Sequence, residues 1–212
     1  SRDSIEISRK ESGKIVIENG SGRVEVEFKS EENLRIEQQT QSVRKQDPLI
    51  VDLNNDGFAL TDARLGAGAH FDINADGTQE QVSWVKPDDG FLVYDRNGNR
   101  RVDDGRELFG DQNGAVDGIE ELRRLDSNND GTIDQRDSSF SSLGVWIDKN
   151  GNGRTDDAEL NSLQESGISS ISLTRSELSS KVAGNSIIAG ISYKKDDGSE
   201  GTIGEALLNY VV

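Results

Sequence analysis

The chain of 212 residues contains no cysteine, only two prolines and a single histidine. Without cysteine it can form neither a disulfide framework nor a thiolate for catalysis or metal binding. One histidine leaves no histidine-based catalytic triad, and the sequence carries neither a phosphate-binding loop nor an open transition-metal site. A conventional enzyme is therefore the least favoured functional class.

Apolar residues are also scarce. They make up 32% of the chain, and the formal net charge is −16. Such a composition favours disorder unless the charge repulsion is compensated. No basic patch is available to neutralise phosphates, which argues against nucleic acid and anionic membrane surfaces as partners. No run of eighteen apolar residues occurs, so the sequence predicts no membrane span.

The hydrophobic pattern divides the chain into three segments that we expect to pack as one unit. Residues 1–46 alternate apolar and polar side chains between turn residues, which predicts an N-terminal β segment in the form of a β-meander. Residues 47–167 are rich in Asp, Asn and Gly and form the calcium-loop region. Residues 168–212 return to strand-like spacing, with Asp196-Asp197-Gly198 as the turn of a hairpin.

Helix signals are few. The strongest covers Gly118 to Leu125, and a second covers Leu160 to Gln164. Together with the strands on either side, these segments predict an α+β fold. In it, a β-meander and C-terminal strands surround a central loop-rich region with EF-hand-like calcium loops and short helices.

Two twelve-residue stretches that begin 22 residues apart carry oxygen ligands at the spacing of a calcium loop. In each, a glycine at position 6 permits the sharp turn that brings the ligands onto one ion, and position 7 offers its backbone carbonyl. Only ten residues separate the stretches, too few for two complete helices, so the prediction is of EF-hand-like loops with a shortened connection. The predicted ligands are Asp126, Asn128, Asp130, Thr132, Asp134 and Asp137 in the first loop, and Asp148, Asn150, Asn152, Arg154, Asp156 and Glu159 in the second.

Three further loops match less completely, so the sequence predicts several calcium ions in all. One has its closing acid one place late and Arg100 at the glycine position; its ligands are Asp95, Asn97, Asn99, Arg101, Asp103 and Glu107. Two half-loops carry only the first three ligands, Asp52, Asn54 and Asp56 in one and Asp72, Asn74 and Asp76 in the other. Asp62 and Glu80 are candidates to complete them. For both half-loops a plain Asx-rich turn remains an equal alternative to a calcium site.

The order of these blocks resembles a known family. The succession DPLIVDLNNDG from Asp47, FDINADG from Phe71, WVKPDDGFLVYDRNGN from Trp84 and DDGRELFGD from Asp103 is similar to the self-processing module of RTX proteins. These are large calcium-dependent toxins and adhesins that Gram-negative bacteria export by type I secretion. The resemblance runs from Asp47 to about Ile171. It departs from the family at Asn54-Asn55, where Asp-Gly is more usual, and at Arg100, where the family has glycine.

The resemblance implies calcium-triggered autocatalytic cleavage of the Asp47–Pro48 bond in a protein that is secreted or displayed on the bacterial surface. The Asp47 carboxyl would attack its own main-chain carbonyl and close a five-membered anhydride, and Pro48 would leave as a secondary amine. Water, or a lysine amine of another protein, would then open the anhydride, the latter giving an Asp–Lys isopeptide bond. Neighbouring domains of the same giant protein are the other implied partners. The sequence identifies no proton donor for the Pro48 nitrogen.

A second interpretation belongs to a different class. The chain would be a non-cleaving, calcium-stiffened scaffold domain of a bacterial RTX adhesin, with Asp47–Pro48 a relic or the boundary between two halves of a split domain. Any catalysis would in either case be at most a single turnover at this bond.

Overall fold

The structure is a computed structural model that describes residues 4–7, 13–19, 22–28, 34–37 and 43–211. The chain forms two compact units, Ser1–Gln41 and Ser42–Val212. The strands of the first unit are β1 (Ser4–Ile7), β2 (Gly13–Asn19), β3 (Gly22–Phe28) and β4 (Leu34–Glu37). They lie where the period-two pattern predicts strands. However, β1 pairs with β4 and β2 with β3, so the described strands are nested rather than successive, and the predicted β-meander is wrong.

The second unit is built on one sheet of twelve antiparallel strands, which curls into a half-barrel. Its main path runs β10-β13-β15-β16-β6-β9-β11-β12, with β14 beside β15, β5 and β8 beside β16, and β7 beside β8. The strands are β5 (Val43–Gln46), β6 (Leu49–Val51), β7 (Ala69–Phe71), β8 (Glu80–Val82), β9 (Gly90–Tyr94), β10 (Thr132–Asp134), β11 (Leu143–Trp146), β12 (Leu160–Ser162), β13 (Ile168–Ser172), β14 (Ser176–Val182), β15 (Asn185–Lys195) and β16 (Glu200–Val211).

The predicted α+β class is wrong, because the protein is nearly all β. The described residues contain one α-helix, α1 (Gly118–Arg123), and three 3₁₀ helices of three residues each, Ala63–Leu65, Gly105–Glu107 and Phe140–Ser142. Seven of the strands, β6 to β12, lie inside the segment predicted to be loop-rich. They span three to five residues each, too short to show a clear period. No helix in the described part of the chain is long and apolar enough to cross a membrane.

Of the two helix predictions, one is confirmed and one is wrong. Helix α1 begins after Asp117, whose side chain caps it by accepting the Glu120 N–H at 2.8 Å. The segment Leu160–Gln164 is not a helix, because Leu160 pairs with Trp146 of β11 and opens strand β12. Strands rather than a helix pair therefore flank the second twelve-residue loop, so its EF-hand-like architecture is also wrong. The hairpin turn at Asp196–Gly198 is confirmed between β15 and β16.

Both faces of the central sheet are buried. Leu49 and Val51 of β6 belong to one core cluster, together with Ile119 and Leu122 of α1. Ile50 points to the opposite face and belongs to a second cluster. Within the second cluster, the rings of Phe71, Trp84, Phe91 and Trp146 pack together, with neighbouring centroids 4.8–5.9 Å apart. Burial on both faces explains why β6 and β9 are continuous apolar runs instead of alternating ones.

Strand β16 organises the site described next. One edge of its twelve residues pairs with β15. The other edge pairs first with β6, at Ile203 to Glu205, and then with β5, at Leu208 to Val211. The segment boundaries at residues 46 and 167 stay a prediction.

Candidate functional site

The Asp47–Pro48 bond lies between β5 and β6, on the edge of β16. Gln46 of β5 is opposite Leu208, and Leu49 of β6 is opposite Glu205. Between them the Pro48 carbonyl accepts a hydrogen bond from the Ala206 N–H at 3.0 Å. Proline has no N–H to donate, so the ladder is interrupted at this bond. One strand thus holds the chain on both sides of the predicted cleavage bond.

Asp47 itself is buried, with 9% of its surface exposed. The backbone N–H of Asp111 donates to its Oδ1 at 3.3 Å, and the Gln46 side-chain amide donates in turn to the Asp111 carboxylate. A Cβ at Gly110 would come within 3.1 Å of the same Oδ1. Burial, with the negative charge of Asp111 second, raises the pKa of Asp47 to about 6. The GRELFGD block of the sequence therefore packs directly against the Asp47 carboxyl.

Asp47 lines a cavity of about 320 Å³, and a second buried acid, Glu205, lines the same cavity. Its side chain is fully buried, and Arg175 Nη1 lies 3.1 Å from its Oε2. Burial, with the negative charge of Asp117 second, raises the pKa of Glu205 to about 7. The sequence analysis missed Glu205 and Arg175. The only available signal was one acid inside the apolar run of β16, and a solvent-facing strand residue gives the same signal.

The five predicted loops share one backbone turn. In each, Oδ2 of the first aspartate accepts the N–H of the sixth residue, at 2.7–3.0 Å. The fourth and sixth residues both have positive φ in every loop, between 57° and 96°. Arg100 takes this conformation with φ 60°, although it has a side chain where the other loops have glycine. The pairs are Asp52 with Gly57, Asp72 with Gly77, Asp95 with Arg100, Asp126 with Gly131, and Asp148 with Gly153.

A closing acid completes the three longer loops in the same way. Its two oxygens accept the N–H groups of loop positions 2 and 9. Asp137 accepts from Ser127 and Asp134 at 2.8 and 3.0 Å. Glu159 accepts from Lys149 and Asp156 at 2.9 and 3.0 Å. Glu107 accepts from Arg96 and Asp103 at 3.1 and 2.9 Å. The one-residue delay of Glu107 in the sequence leaves its position in the loop unchanged.

The two half-loops are closed by different acids. Glu80 accepts the N–H of Ile73 at 3.3 Å and the side-chain amide of Asn74 at 3.1 Å, so it completes the Asp72 loop. Asp89 accepts the Ala59 N–H at 2.9 Å beside the Asp52 loop, although thirty residues separate Asp89 from Ala59. Asp62 instead forms an ion pair with Arg64 at 2.7 Å. Asp89 is separated from the loop in sequence, so spacing alone could not identify it.

The remaining predicted ligands meet one another inside each loop. Asn150 and Asn152 both donate to Asp156 at 2.8 Å. Equivalent contacts join Asn97 and Asn99 to Asp103, at 2.8 and 2.7 Å. Asn128 contacts Asp130 and Asn74 contacts Asp76, each at 3.1 Å. Asn54 accepts the N–H of Asp56 at 3.1 Å. At position 7, Arg101, Thr132 and Arg154 each donate a backbone N–H to the position-5 side chain at 2.7–3.0 Å.

Carboxylate, side-chain amide and backbone oxygens are the ligands that a hard cation prefers. Within the described residues, however, no three or more His, Cys, Asp or Glu side chains form a group that could hold a metal ion. Two buried carboxylate oxygens, Oδ1 of Asp52 and Oδ1 of Asp89, lack a hydrogen-bond partner. In the Asp126 loop, the Arg136 guanidinium already bridges Asp130 and Asp134, at 2.7 Å from each.

Short connections link the loops to the Asp47–Pro48 bond. Glu107 closes the Asp95 loop, and four residues later the Asp111 N–H contacts Asp47. Glu121 of α1, also missed from the sequence, joins the two regions: it accepts from the Arg96 side chain and from the Gly110 N–H, the latter at 2.8 Å. A continuous series of hydrogen bonds and short chain segments thus connects the Asp95 loop with the Asp47 carboxyl.

Two comparisons place the chain among known proteins. The family model for the SPM domain matches residues 49–209, which is most of the described second unit. The iron-regulated protein FrpA of Neisseria meningitidis serogroup C is 40% identical over 169 residues, covering 76% of this chain. The chain spans only 15% of the length of that relative. Because the family model matches most of the chain, this protein belongs to the SPM domain family.

Proposed function

We propose that this protein is a calcium-folded, self-processing module of a large RTX-type secreted protein, and that it cleaves its own Asp47–Pro48 bond once. The similarity to part of FrpA supports a module within a longer chain, and the resemblance of the ordered blocks to RTX modules supports its class. The observation that carries the proposal is the burial of Asp47 with its carboxyl held by the loop segment around Asp111.

The chemistry requires only groups of this chain. The ionised Asp47 carboxylate attacks the Asp47 carbonyl carbon, forming a C–O bond as the C–N bond to Pro48 breaks. The Pro48 nitrogen takes up a proton and leaves as a secondary amine. Water then opens the anhydride, or a lysine amine opens it to give an isopeptide bond. Holding the carboxyl in a buried pocket, with one N–H fixing Oδ1, restricts its rotation and favours ring closure.

The five loops are the proposed calcium ligands. Bound calcium supplies folding free energy and neutralises loop carboxylates in a chain with a net charge of −16. At millimolar calcium each occupied site contributes roughly 2–4 kcal/mol to the free energy of unfolding. Ordering of the Asp95 loop then fixes Glu107, Glu121 and the segment that ends at Asp111. This coupling explains why cleavage would depend on calcium although no loop ligand takes part in the reaction.

Intact-mass spectrometry of protein prepared in EGTA and then given millimolar calcium tests the proposal. We expect two pieces, residues 1–47 and 48–212, and a lysine-rich acceptor should add its mass to the first piece. Asp47→Asn should abolish the cut, because a neutral amide cannot close the anhydride. Asp47→Glu should be slow, since it must close a six-membered ring.

The chain provides its own control. The other proline, Pro87, follows Lys86, and both residues are exposed. Lysine has no carboxyl that could attack its own carbonyl, so the Lys86–Pro87 bond should stay intact. Thermal unfolding followed by circular dichroism, in EGTA and in calcium, reports calcium binding without relying on cleavage. A single full-length species, together with a calcium-dependent melting temperature, would reject cleavage and retain calcium binding. Identical melting temperatures would reject calcium binding.

The alternative function, a calcium-stiffened scaffold domain of an adhesin, is favoured by one observation. Strand β16 binds β5 and β6 across the junction, so the sheet connects both sides of Asp47–Pro48 whether or not the bond is cut. Under this alternative the intact-mass experiment gives the uncut chain, and calcium serves stiffness alone.

A further inference from the structure

The cavity beside the Asp47–Pro48 bond contains a second carboxyl for which the proposed reaction, as written, has no role. Glu205 and Asp47 both line this cavity of about 320 Å³. The backbone of β16 sets their separation, because Glu205 is paired with Leu49 and the next residue, Ala206, donates to the Pro48 carbonyl at 3.0 Å. The two carboxyls therefore lie on either side of Pro48 in the strand ladder.

Glu205 is an unusual residue for a sheet interior. It is fully buried, and neither carboxylate oxygen accepts a hydrogen bond of good geometry. Its cation, Arg175, is shared, since Nη1 lies 3.1 Å from Glu205 Oε2 and 2.8 Å from Asp117 Oδ2. Burial of an ionised carboxylate whose only cationic neighbour is shared with another acid is unfavourable, so the pKa of such a carboxyl rises. A structural role would be better served by an apolar residue or by a complete ion pair.

We propose that Glu205 is the general acid that delivers a proton to the Pro48 nitrogen as the Asp47–Pro48 bond breaks. This inference rests on the proposed self-cleavage. The Glu205 O–H bond breaks and the Pro48 N–H bond forms, while the Asp47 carboxylate closes on its own carbonyl carbon. One negative charge moves from Asp47 to Glu205, so charge is conserved. When water opens the anhydride, a proton released from that water restores the Glu205 acid.

The surroundings of the two carboxyls suit these opposite roles. The charged groups nearest Glu205 are Asp47 at the junction, Asp117 before α1, and Arg175 between β13 and β14. Lys45 of β5 and Asp111 line the same cavity. The backbone N–H of Gly118 acts to lower the pKa of Glu205. Burial first, and then Asp117, raises the pKa of Glu205 to about 7, whereas the pKa of Asp47 rises to about 6. The larger rise at Glu205 favours the proton on Glu205 and the negative charge on Asp47, which is the arrangement that the reaction needs. This separation matches acid and nucleophile to their tasks.

The first test is the single-turnover cleavage rate as a function of pH, in calcium. For the wild-type protein we expect a bell-shaped profile, rising through about pH 6 and falling through about pH 7. Glu205→Gln preserves size but cannot donate a carboxylic proton, so its rate should fall by at least about 100-fold. Glu200→Gln is the matched control on the same strand: this exposed acid pairs with Lys194 at 3.5 Å, and its loss should leave rate and profile unchanged.

Arg175→Gln provides a readout that misfolding of the Glu205 variant cannot obscure. Removing the guanidinium that favours ionised Glu205 should move the alkaline limb of the profile to higher pH. The proposal is overturned if Glu205→Gln cleaves at the wild-type rate, or if Arg175→Gln cleaves with an unshifted alkaline limb. If the wild-type chain stays uncut in calcium, the proposed self-cleavage fails and this role fails with it. A wild-type protein that cleaves beside an equally active Glu205→Gln variant would overturn the role of Glu205 alone.

Discussion

The acids of the loops and the acids around the Asp47–Pro48 bond are the same kind of side chain in opposite surroundings. In the loops, the first aspartate and the closing acid accept several backbone N–H groups, as Asp148 does from Gly151, Asn152 and Gly153. Around the junction, Asp47 has one long hydrogen bond and Glu205 has none of good geometry. In the Asp126 loop, hydrogen bonds lower the pKa of the closing acid Asp137 although desolvation acts to raise it, whereas at the junction burial raises the pKa of both Asp47 and Glu205.

The loops are themselves not equivalent, and the largest expected effect comes from the difference between two of them. Asp148 is fully buried, and its Oδ2 accepts from the Trp84 indole at 2.8 Å as well as from Gly153. Asp148→Ala should lower the free energy of unfolding by about 4 kcal/mol, because it leaves several buried donors unpaired. The more exposed Asp126 has no such tie to the core, and Asp126→Ala should cost about 1 kcal/mol.

Urea unfolding in EGTA measures these losses without a calcium contribution. Trp84→Phe separates the contribution of the indole hydrogen bond to Asp148 from that of the backbone hydrogen bonds within the loop, since it removes only the indole donor. Equal losses for Asp126→Ala and Asp148→Ala would contradict the difference in anchoring.

The second prediction concerns the junction, where a substitution should raise the free energy of unfolding instead of lowering it. The folded-state pKa of Glu205 is raised from 4.5 to about 7, so ionising it costs folding free energy as the pH rises between those values. Glu205→Gln should therefore unfold with about the wild-type free energy at pH 4 but be more stable at pH 8, by up to about 3 kcal/mol. Denaturation in calcium, with both chains carrying Asp47→Asn to prevent cleavage, measures this. A variant that is equally stable at pH 8, or less stable, would contradict the unfavourable burial of this charge.

The smallest expected effect lies in the backbone of the Asp95 loop. Arg100 has φ 60°, in the left-handed region where the other four loops place glycine. Arg100→Gly should raise the free energy of unfolding by about 1 kcal/mol by relieving this conformation. Gly153→Arg makes the reverse change and should be far more costly, because even a Cβ there would lie 2.4 Å from the His70 carbonyl oxygen. Chemical denaturation of the two variants against wild type checks both signs.

The sequence was informative where the signal was local. The spacing of Asp and Asn, the Asp196–Gly198 turn and the helix after Asp117 all depend on neighbouring residues. The fold class was not predictable in this way, because β10 and β12 span three residues each and become strands only through pairing with β13 and β11, which lie outside their local sequence. For the same reason Leu160–Gln164 was predicted as a helix, although pairing with β11 determines its structure. Asp89 and Glu205 were missed because their significance arises only when the chain brings them to Asp52 and Asp47.

The pairing of β16 with both β5 and β6 also has a mechanical consequence. In the intact chain, tension applied through Val43 passes to β6 along the covalent backbone at Asp47–Pro48. Once that bond is cut, the only ladder that retains the N-terminal piece on β16 in the described residues is β5, with four paired residues from Val43 to Gln46. Cleavage would therefore replace a covalent connection with one that yields to modest force. The new Asp47 end would then depend on β5 to stay beside the pocket in which it formed.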